Sequence, residues 1–320
     1  MGDLLELRRK AYQSAVKNDN LSPSTLVGYE KAIDRLLKDW DKIQLQDATP
    51  SFLRTWIGNL NITSKGVRNM LTPLRSAFED ALNDGLIEHD PFTKIALKKL
   101  LRETAKKSEY RADPFDAEER AALIAKARDD ERPMVQFWFE SGLRPGEIIA
   151  LAWPKIDWIH HRARIDLNVV AKVEKAPKTA AGLRDLDLSQ NALSALTAQK
   201  AHTFLAGGRV FHNPRTAEPW EAEPQIRKTF WEPLCKRAGV RYRSPYQVRH
   251  TFASVLLGQG HNPWYVAQQM GHEDIDMIFE VYGHWIADSF KKPRLERQIT
   301  RESHAPAEAD ATALIHKVKG

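Results

Sequence analysis

The chain is short of cysteine, of long apolar runs and of any strong charge imbalance, and each shortage removes a class of protein. Cys235 is the only cysteine among 320 residues. One thiol excludes an internal disulfide framework and any zinc site built on several cysteines. No stretch approaches the roughly 20 consecutive apolar residues of a membrane span. The N-terminus, MGDLLELRRKAYQSAVK, reads as the start of an amphipathic helix and has no apolar run long enough for a signal peptide. A protein free in a reducing cytosol, with no membrane partner, is the expectation. Lys and Arg number 48 against 42 Asp and Glu, a formal net charge of +6. So small an excess permits a polyanionic partner without demanding one. No carboxylates or cysteines cluster at metal-ligand spacing, so neither a metal nor a cofactor is expected.

What is present is a folded chain, 42% hydrophobic and long enough for two cores. Residues 3 to 100 read as helices separated by turn residues. Ser22-Pro23-Ser24 opens one in which Leu26, Tyr29, Ile33, Leu36, Leu37 and Trp40 recur at helical spacing. Thr49-Pro50 starts a short helix with Phe52, Leu53, Trp56 and Ile57. Thr63 or Ser64 starts a longer one, in which Val67, Met70, Leu71, Leu74, Phe78 and Leu82 share a face and Gly85 is placed to close the end. Together they predict a small helical bundle.

Lys65, Arg68, Asn69 and Arg75 occupy the other face of that long helix. Such a face is either merely solvated or a contact for a polyanion. The segment that follows favours the second reading, because Lys98, Lys99, Arg102, Lys106, Lys107 and Arg111 outnumber Glu103 and Glu109 with no apolar periodicity after Leu101. A basic connector of this kind suits a strap across a phosphate backbone, where each neutralised phosphate releases a counterion. A domain boundary is expected there, with the bundle and its basic linker in 1–107 and a second domain in 108–300.

Asp116 and Glu119 form a capping-box-like start to the second unit, and residues 132 to 141 are apolar nearly all round, which predicts deep burial. Gly142-Leu-Arg144-Pro145-Gly-Glu147 then marks a tight helix-to-helix corner. Arg144 is either a capping arginine paired to Glu147 or a rigidly aimed anion ligand. From Ile156 to Leu188 the period changes to two, predicting one small antiparallel sheet with its last strand at 183–188 and a loop from Lys175 to Gly182. Lys178 in that loop faces solvent unless the hairpin tip folds over a ligand. Ser189 to Ala201 and Glu221 to Ala238 read as helices, with Arg209-Val210-Phe211 a short strand or turn between them. The aromatic residues of the second helix, Cys235, Trp264 and Tyr265 are assigned to packing.

The stretch from Ser244 to Trp285 carries Arg249 early in an apolar helix, His272 after a glycine and Tyr282 ten residues on. Arginine, histidine and tyrosine are the parts needed to attack a phosphodiester. A zinc site from His272, His284 and Glu273 is the alternative use of these histidines, but no paired ligand spacing supports it.

The segments Gly142-Leu-Arg144-Pro-Gly-Glu147, Pro177-Lys178-Thr179 with Gly182-Leu-Arg184, Tyr246-Gln-Val-Arg249-His250-Thr-Phe-Ala-Ser254, Met270-Gly271-His272 and Val281-Tyr282-Gly-His284 resemble, in order, the boxes of the tyrosine recombinases, the phage integrase family. The likeness runs through residues 112 to 290, and residues 1 to 107 resemble that family's helical core-binding domain more loosely. The fold class it implies is mainly α with a small antiparallel sheet, an N-terminal bundle followed by an α+β catalytic domain. The implied activity is site-specific DNA recombination, viral or mobile-element integration, through a 3′-phosphotyrosyl intermediate. Tyr282 would attack, Arg144 and Arg249 clamp the phosphate, His272 bond to it and Lys178 protonate the leaving 5′-oxygen. Glu147, His250 and His284 would support them. The implied partners are double-stranded DNA, further copies of the chain up to a tetramer in the synapse, and accessory DNA-bending proteins, in the cytoplasm of a bacterial host.

One position departs from the pattern. The histidine usual three residues before the second arginine is Tyr246 here. A phenol can bond a phosphate oxygen, but titrating at about 10 it is a poor proton shuttle at neutral pH. That leaves Tyr246 in phosphate binding and adds a second candidate nucleophile, with Tyr282 preferred for its place after the glycine-histidine box. A topoisomerase-like enzyme and a catalytically silent DNA-binding regulator remain the alternatives. The bundle begins almost at Met1, so no additional N-terminal arm-binding domain is expected in this sequence. Ile286 to Ile299 reads as a further helix, and 301–320 as a tail that either docks onto a neighbouring subunit or frays.

Overall fold

Proline and hydroxyl side chains start the bundle helices where the chain pattern places them. The computed structural model describes residues 1–107, 111–170, 172–177 and 179–286. Its first helices are α1 (Gly2–Lys17), α2 (Pro23–Trp40), α3 (Pro50–Gly58), α4 (Ser64–Asn83) and α5 (Leu97–Thr104). Ser22, Thr49 and Thr63 cap α2, α3 and α4 by accepting from the backbone N–H groups of Thr25, Phe52 and Gly66. Gly85, at φ +71°, closes α4. Trp40 is fully buried at the centre, edge-on to Phe52, Trp56 and Phe78 at 5.3, 5.0 and 6.1 Å. Leu82, expected on the buried face, is 37% exposed on the last turn of α4.

A second core runs from Phe115 to Val248. Its elements are α6 (Ala117–Lys126), α7 (Arg132–Ser141), α8 (Pro145–Ala150), β1 (Ile156–Asp157), β2 (Arg162–Ile165), β3 (Asn168–Val170), β4 (Val173–Lys175), β5 (Arg184–Asp187), α9 (Gln190–Thr203), α10 (Glu223–Ile226), α11 (Glu232–Ala238) and the start of α12 (Tyr246–Gly258), and the rest of α12 packs with α13 (Pro263–Met270) and α14 (Asp276–Tyr282) in a third cluster. The capping box of Asp116 and Glu119 is formed. Phe115, Trp138 and Phe139 pack around the buried Trp231. The start of α12 is tied back to the beginning of this unit, since Asp113 N–H donates to Gln247 Oε1 and Phe115 N–H to Thr251 Oγ1, both at 2.9 Å.

Four expectations need correction. Trp264, assigned to packing, is 68% exposed at the start of α13. The strands form two sheets, an antiparallel β1-β2-β5 and a separate β3-β4 hairpin, because β3 packs against α8 instead of extending the first sheet. Lys175, expected in a loop, lies in β4, and its Nζ donates to Ser24 Oγ at 2.9 Å. The helix expected over 221–238 is divided by a π-helical turn at Arg227–Trp231. Pro233 has no N–H to offer Thr229, so the ladder widens just before it. Arg209 makes only an isolated bridge to Ala152 and no strand. The expected helix from Ile286 to Ile299 and the tail 301–320 lie outside the described residues, except Ile286 itself.

Gly142 ends α7 at φ +57°, and a Cβ there would lie 2.4 Å from Phe252 Cδ1. Gly85 has a similar φ of +71° with nothing within 4 Å. Gly85→Ala should therefore cost only the left-handed penalty of about 1–2 kcal/mol. Gly142→Ala should cost clearly more, measured for both by urea unfolding followed at tryptophan.

Candidate active site

The corner expected at Gly142 to Glu147 is built by a left-handed glycine and a proline. The indole N–H of Trp138 donates to Leu143 O at 2.8 Å, fixing the chain as it leaves α7. Pro145 opens α8, which places Arg144 at its cap. Glu147 Oε2 accepts from the Arg144 backbone N–H at 2.9 Å, and Oε1 accepts from Arg144 Nη1 at 2.7 Å. Arg144 Nη2 donates to Gly271 O at 3.1 Å. Arg144 is thus paired to Glu147, and its other terminal nitrogen is held at the turn before His272.

Glu147 is buried and has a second arginine, Arg184, which the sequence placed in a family box without a role. Arg184 Nη1 and Nη2 donate to its two oxygens at 3.1 and 3.0 Å, and Arg184 Nε donates to Gln269 O at 2.7 Å. The signal for Arg184 was its place in the alternation of β5, where it shares the buried face with Leu186. An arginine on an inward position needs a partner carboxylate. Burial pushes the Glu147 carboxyl upward, but the bonds and charge of Arg184, then the charges of Arg144 and Arg249, outweigh it and hold the group at about 2.

Arg249, on α12, is 1% exposed. Its Nη1 donates to Gly142 O at 3.1 Å and its Nη2 to Met270 O, so it bolts the end of α7 to the end of α13. Burial, then the charge of Arg144, lowers it to about 10, which leaves it cationic at neutral pH. His272 follows Gly271, itself at φ +64°. A Cβ on Gly271 would sit 2.8 Å from Arg184 Nη1 and 2.9 Å from Ala181 O, so only glycine lets the turn before β5 approach. Burial, then Arg249, Arg144 and Arg184, hold the His272 imidazole at about 3, and its buried Nδ1 has no hydrogen-bond partner among the described residues. Three guanidinium groups thus surround one carboxylate beside a neutral imidazole, a corner with positive charge in excess.

Tyr282 ends α14 and is 2% exposed. Its hydroxyl lies 2.7 Å from His250 Nδ1. His250, named among the supporting residues, is buried and contacts the phenol. Burial, then the Arg249 charge, holds it at about 4. Tyr246 is exposed, with its ring edge-on to His250 at 5.4 Å. His284 is exposed and its ring lies 3.6 Å from that of Trp285. Lys178 lies outside the described residues; of its neighbours, Thr179 caps the turn that ends at Gly182. Among the described residues no group of His, Cys, Asp or Glu is placed to hold a metal ion, so His272, Glu273 and His284 do not assemble as ligands. No described helix is long and apolar enough to cross a membrane.

Away from this corner, Lys65, Arg68 and Arg75 are exposed along α4 and Lys98, Lys99 and Arg102 along α5. Arg68, Lys98, Lys99 and Arg102 line one groove of about 740 Å³. Arg75 also packs its guanidinium 5.0 Å over Phe92. Lys106, Lys107 and Arg111 are exposed beyond α5.

The model of the phage integrase family matches residues 114–287, just over half of the chain. Prophage integrase IntR of Escherichia coli (strain K12) is 33% identical over 249 residues, covering 71% of this chain and 59% of that protein. The chain thus spans about three fifths of that relative's length. The Tn1549 transposon integrase, solved in complex with a circular intermediate DNA, superposes with a TM-score of 0.71 at 18% identity, over 90% of this chain and 97% of that one. A lambda integrase tetramer bound to a Holliday junction gives 0.61 at 17% identity, over 89% and 77%. At these identities the two structures establish the fold, an N-terminal bundle with a mainly α domain carrying small antiparallel sheets.

Two outcomes follow from the charge network. Glu147→Gln leaves Arg184 buried beside a neutral amide, and should cost about 3–5 kcal/mol in chemical denaturation. The second concerns acid. His250 and His272 sit at about 4 and about 3 in the fold against an ordinary 6.5, so the unfolded chain takes up their protons first. Stability should therefore fall as pH drops below 6.5 toward these values. Glu147, at about 2 against 4.5, adds its own loss below 4.5. Melting temperature against pH should show both slopes, with His250→Asn flattening the upper window and Glu147→Gln the lower.

Proposed function

The chain belongs to the phage integrase family, and on that premise we propose that it is a site-specific DNA recombinase, the integrase of a phage or other mobile element, which cuts and rejoins duplex DNA through a 3′-phosphotyrosyl link to Tyr282. The observation that carries the reading is the pairing of Arg144 and Arg184 to buried Glu147 at the turn of His272, with the charge of Arg249 beside them and Tyr282 bonded to the neighbouring His250. Structures of the Tn1549 and lambda integrases with DNA support duplex DNA as the partner, and the lambda tetramer supports assembly of four protomers in the synapse. Residues 1–107 and 108–300 would close around the duplex, with Lys65, Arg68, Arg75, Lys98, Lys99, Arg102, Lys106, Lys107 and Arg111 against its phosphates. The reaction would take place in the cytoplasm of a bacterial host, with accessory DNA-bending proteins helping to shape the complex.

The chemistry requires a phenol to act as a nucleophile. Ionising it at neutral pH costs about 4 kcal/mol, at roughly 1.4 kcal/mol per unit below a pKa of about 10. Arg144 and Arg249 offset this, since a charge pair at about 4 Å is worth up to roughly 4 kcal/mol at intermediate dielectric. Fixed by Glu147, Gly142 and Met270, they form a preorganised site for the charge that develops on the non-bridging oxygens. His272, held neutral, donates or accepts a bond there without adding charge. Tyr246, at the rim, offers its hydroxyl to the phosphate. The energy of the broken linkage is kept in the phosphotyrosyl bond, so rejoining requires neither ATP nor a metal. Lys178 protonates the departing 5′-oxygen.

Incubated with its attachment-site duplex, the chain should form a protein-DNA adduct that survives denaturant and is lost in Tyr282→Phe. Adduct without exchange between two labelled sites would mark a topoisomerase-like enzyme, and no adduct at all a DNA-binding regulator. Lys178→Ala should cleave poorly on normal DNA but near the wild-type rate when sulfur replaces the leaving 5′-oxygen. Continued failure on the sulfur substrate would move the general acid elsewhere.

A further inference from the structure

We infer that His250 is a catalytic residue of this site, the group that takes the proton from Tyr282 as its phenol oxygen attacks phosphorus. The inference rests on the proposed role of Tyr282 as nucleophile and adds the base that role leaves unassigned.

The geometry is that of one helix face. Tyr246 and His250 are four residues apart on α12 and so lie one above the other. The Tyr246 ring stands edge-on to the imidazole at 5.4 Å between centroids, and the Tyr282 ring lies tilted at 5.5 Å. His250 is 6% exposed, so little water reaches it. Its Nδ1 is 2.7 Å from the Tyr282 oxygen, within the range over which a proton is passed directly. Tyr246 is closer to solvent but carries a phenol, which is no better a base than the phenol it would have to deprotonate. The arginines are charged and have no lone pair to offer.

The step balances without a further reactant. The O–H bond of Tyr282 breaks, its electron pair forms the new O–P bond, and the proton passes to the lone pair of His250 Nδ1. The bond from phosphorus to the 5′-oxygen breaks with its pair on that oxygen, which is protonated in turn by the general acid. In rejoining, the 5′-hydroxyl attacks and the imidazolium returns its proton to the departing Tyr282 oxygen.

Burial and the neighbouring charge of Arg249 keep this imidazole neutral, so its lone pair is available. They also make it a weak base. A weak base does not strip a free phenol; it takes the proton only as the O–P bond forms and the phenol oxygen becomes acidic. A DNA phosphate against Arg249 offsets that guanidinium charge and raises the basicity of His250 when substrate is bound. The same contact therefore guards Tyr282 in the free chain and releases it to react on DNA.

The test is single-turnover cleavage by the full chain on a duplex selected by the wild type from a random-sequence pool and nicked to trap the adduct. His250→Asn keeps a hydrogen-bonding atom near Nδ1 but cannot carry the proton. It should slow cleavage by about 10²-fold or more with DNA affinity unchanged. A fluorotyrosine at position 282, with a more acidic phenol, should recover part of that loss in His250→Asn and change the wild type much less. Cleavage by His250→Asn at the wild-type rate overturns the assignment, as does an equal gain from fluorination in both backgrounds. A measurement on the unaltered protein complements these: ¹⁵N NMR should find Nδ1 of His250 without a proton at neutral pH, and a proton on Nδ1 overturns the assignment. Absence of any Tyr282 adduct in the wild type overturns the functional reading as well, whereas a normal adduct from His250→Asn overturns only the role of His250.

Discussion

The carboxylate of Glu147 is the contact on which the rest of the site depends. It holds Arg144 and Arg184 directly, and its charge offsets that of Arg249 nearby. Without it, guanidinium groups would be packed together in a partly dry corner with nothing to oppose their repulsion, a cost of several kcal/mol. Because the carboxylate is buried and stays ionised far into acid, the arginines keep their positions and charge with no DNA present. That is the property an anion site needs if its donors are not to reorganise when charge develops.

The backbone is shaped around that cluster. Gly142 lets α7 end against Phe252, and Gly271 lets the turn before β5 reach α13. Gly146 does the same between α8 and β3, where a Cβ would meet Asn168 Oδ1 at 1.9 Å. Arg249 then joins the ends of α7 and α13 through their carbonyl oxygens. Helix ends that would otherwise leave unsatisfied carbonyls become the frame that aims the cations. Tyr282 belongs to a different packing unit, with Phe252, Leu257, Val266 and Ile278, and meets the charged corner through His250. The separation keeps a phenol in apolar surroundings next to a corner of charged side chains.

Much of this was legible in the sequence wherever the determining physics is local. Caps at Ser22, Thr49, Thr63 and Asp116, the left-handed end at Gly142 and the proline at 145 act within one helical turn, and the helices begin where those residues place them. Arg144 with Glu147 was readable for the same reason. Arg184 was not, because whether an arginine on a strand faces in or out is decided by a carboxylate 37 positions earlier. The single sheet expected from the alternation became two because the packing of β3 on α8 is a tertiary choice. The π turn before Pro233 arose from a proline inside an otherwise regular apolar pattern. The resemblance gave His250 only a supporting place, and periodicity does not show that its buried nitrogen meets a phenol 32 residues on.

The claim that this charged corner and Tyr282 act on one phosphate is tested most directly by a crystal structure of the chain with vanadate held between two abutting DNA strands, as a mimic of the five-coordinate phosphorus. Vanadium bonded to the Tyr282 oxygen, with its equatorial oxygens on Arg144, Arg249 and His272, is the predicted result. Vanadate bound by the arginines while Tyr282 stays on His250 and out of reach, or bound at Tyr246 instead, would contradict it.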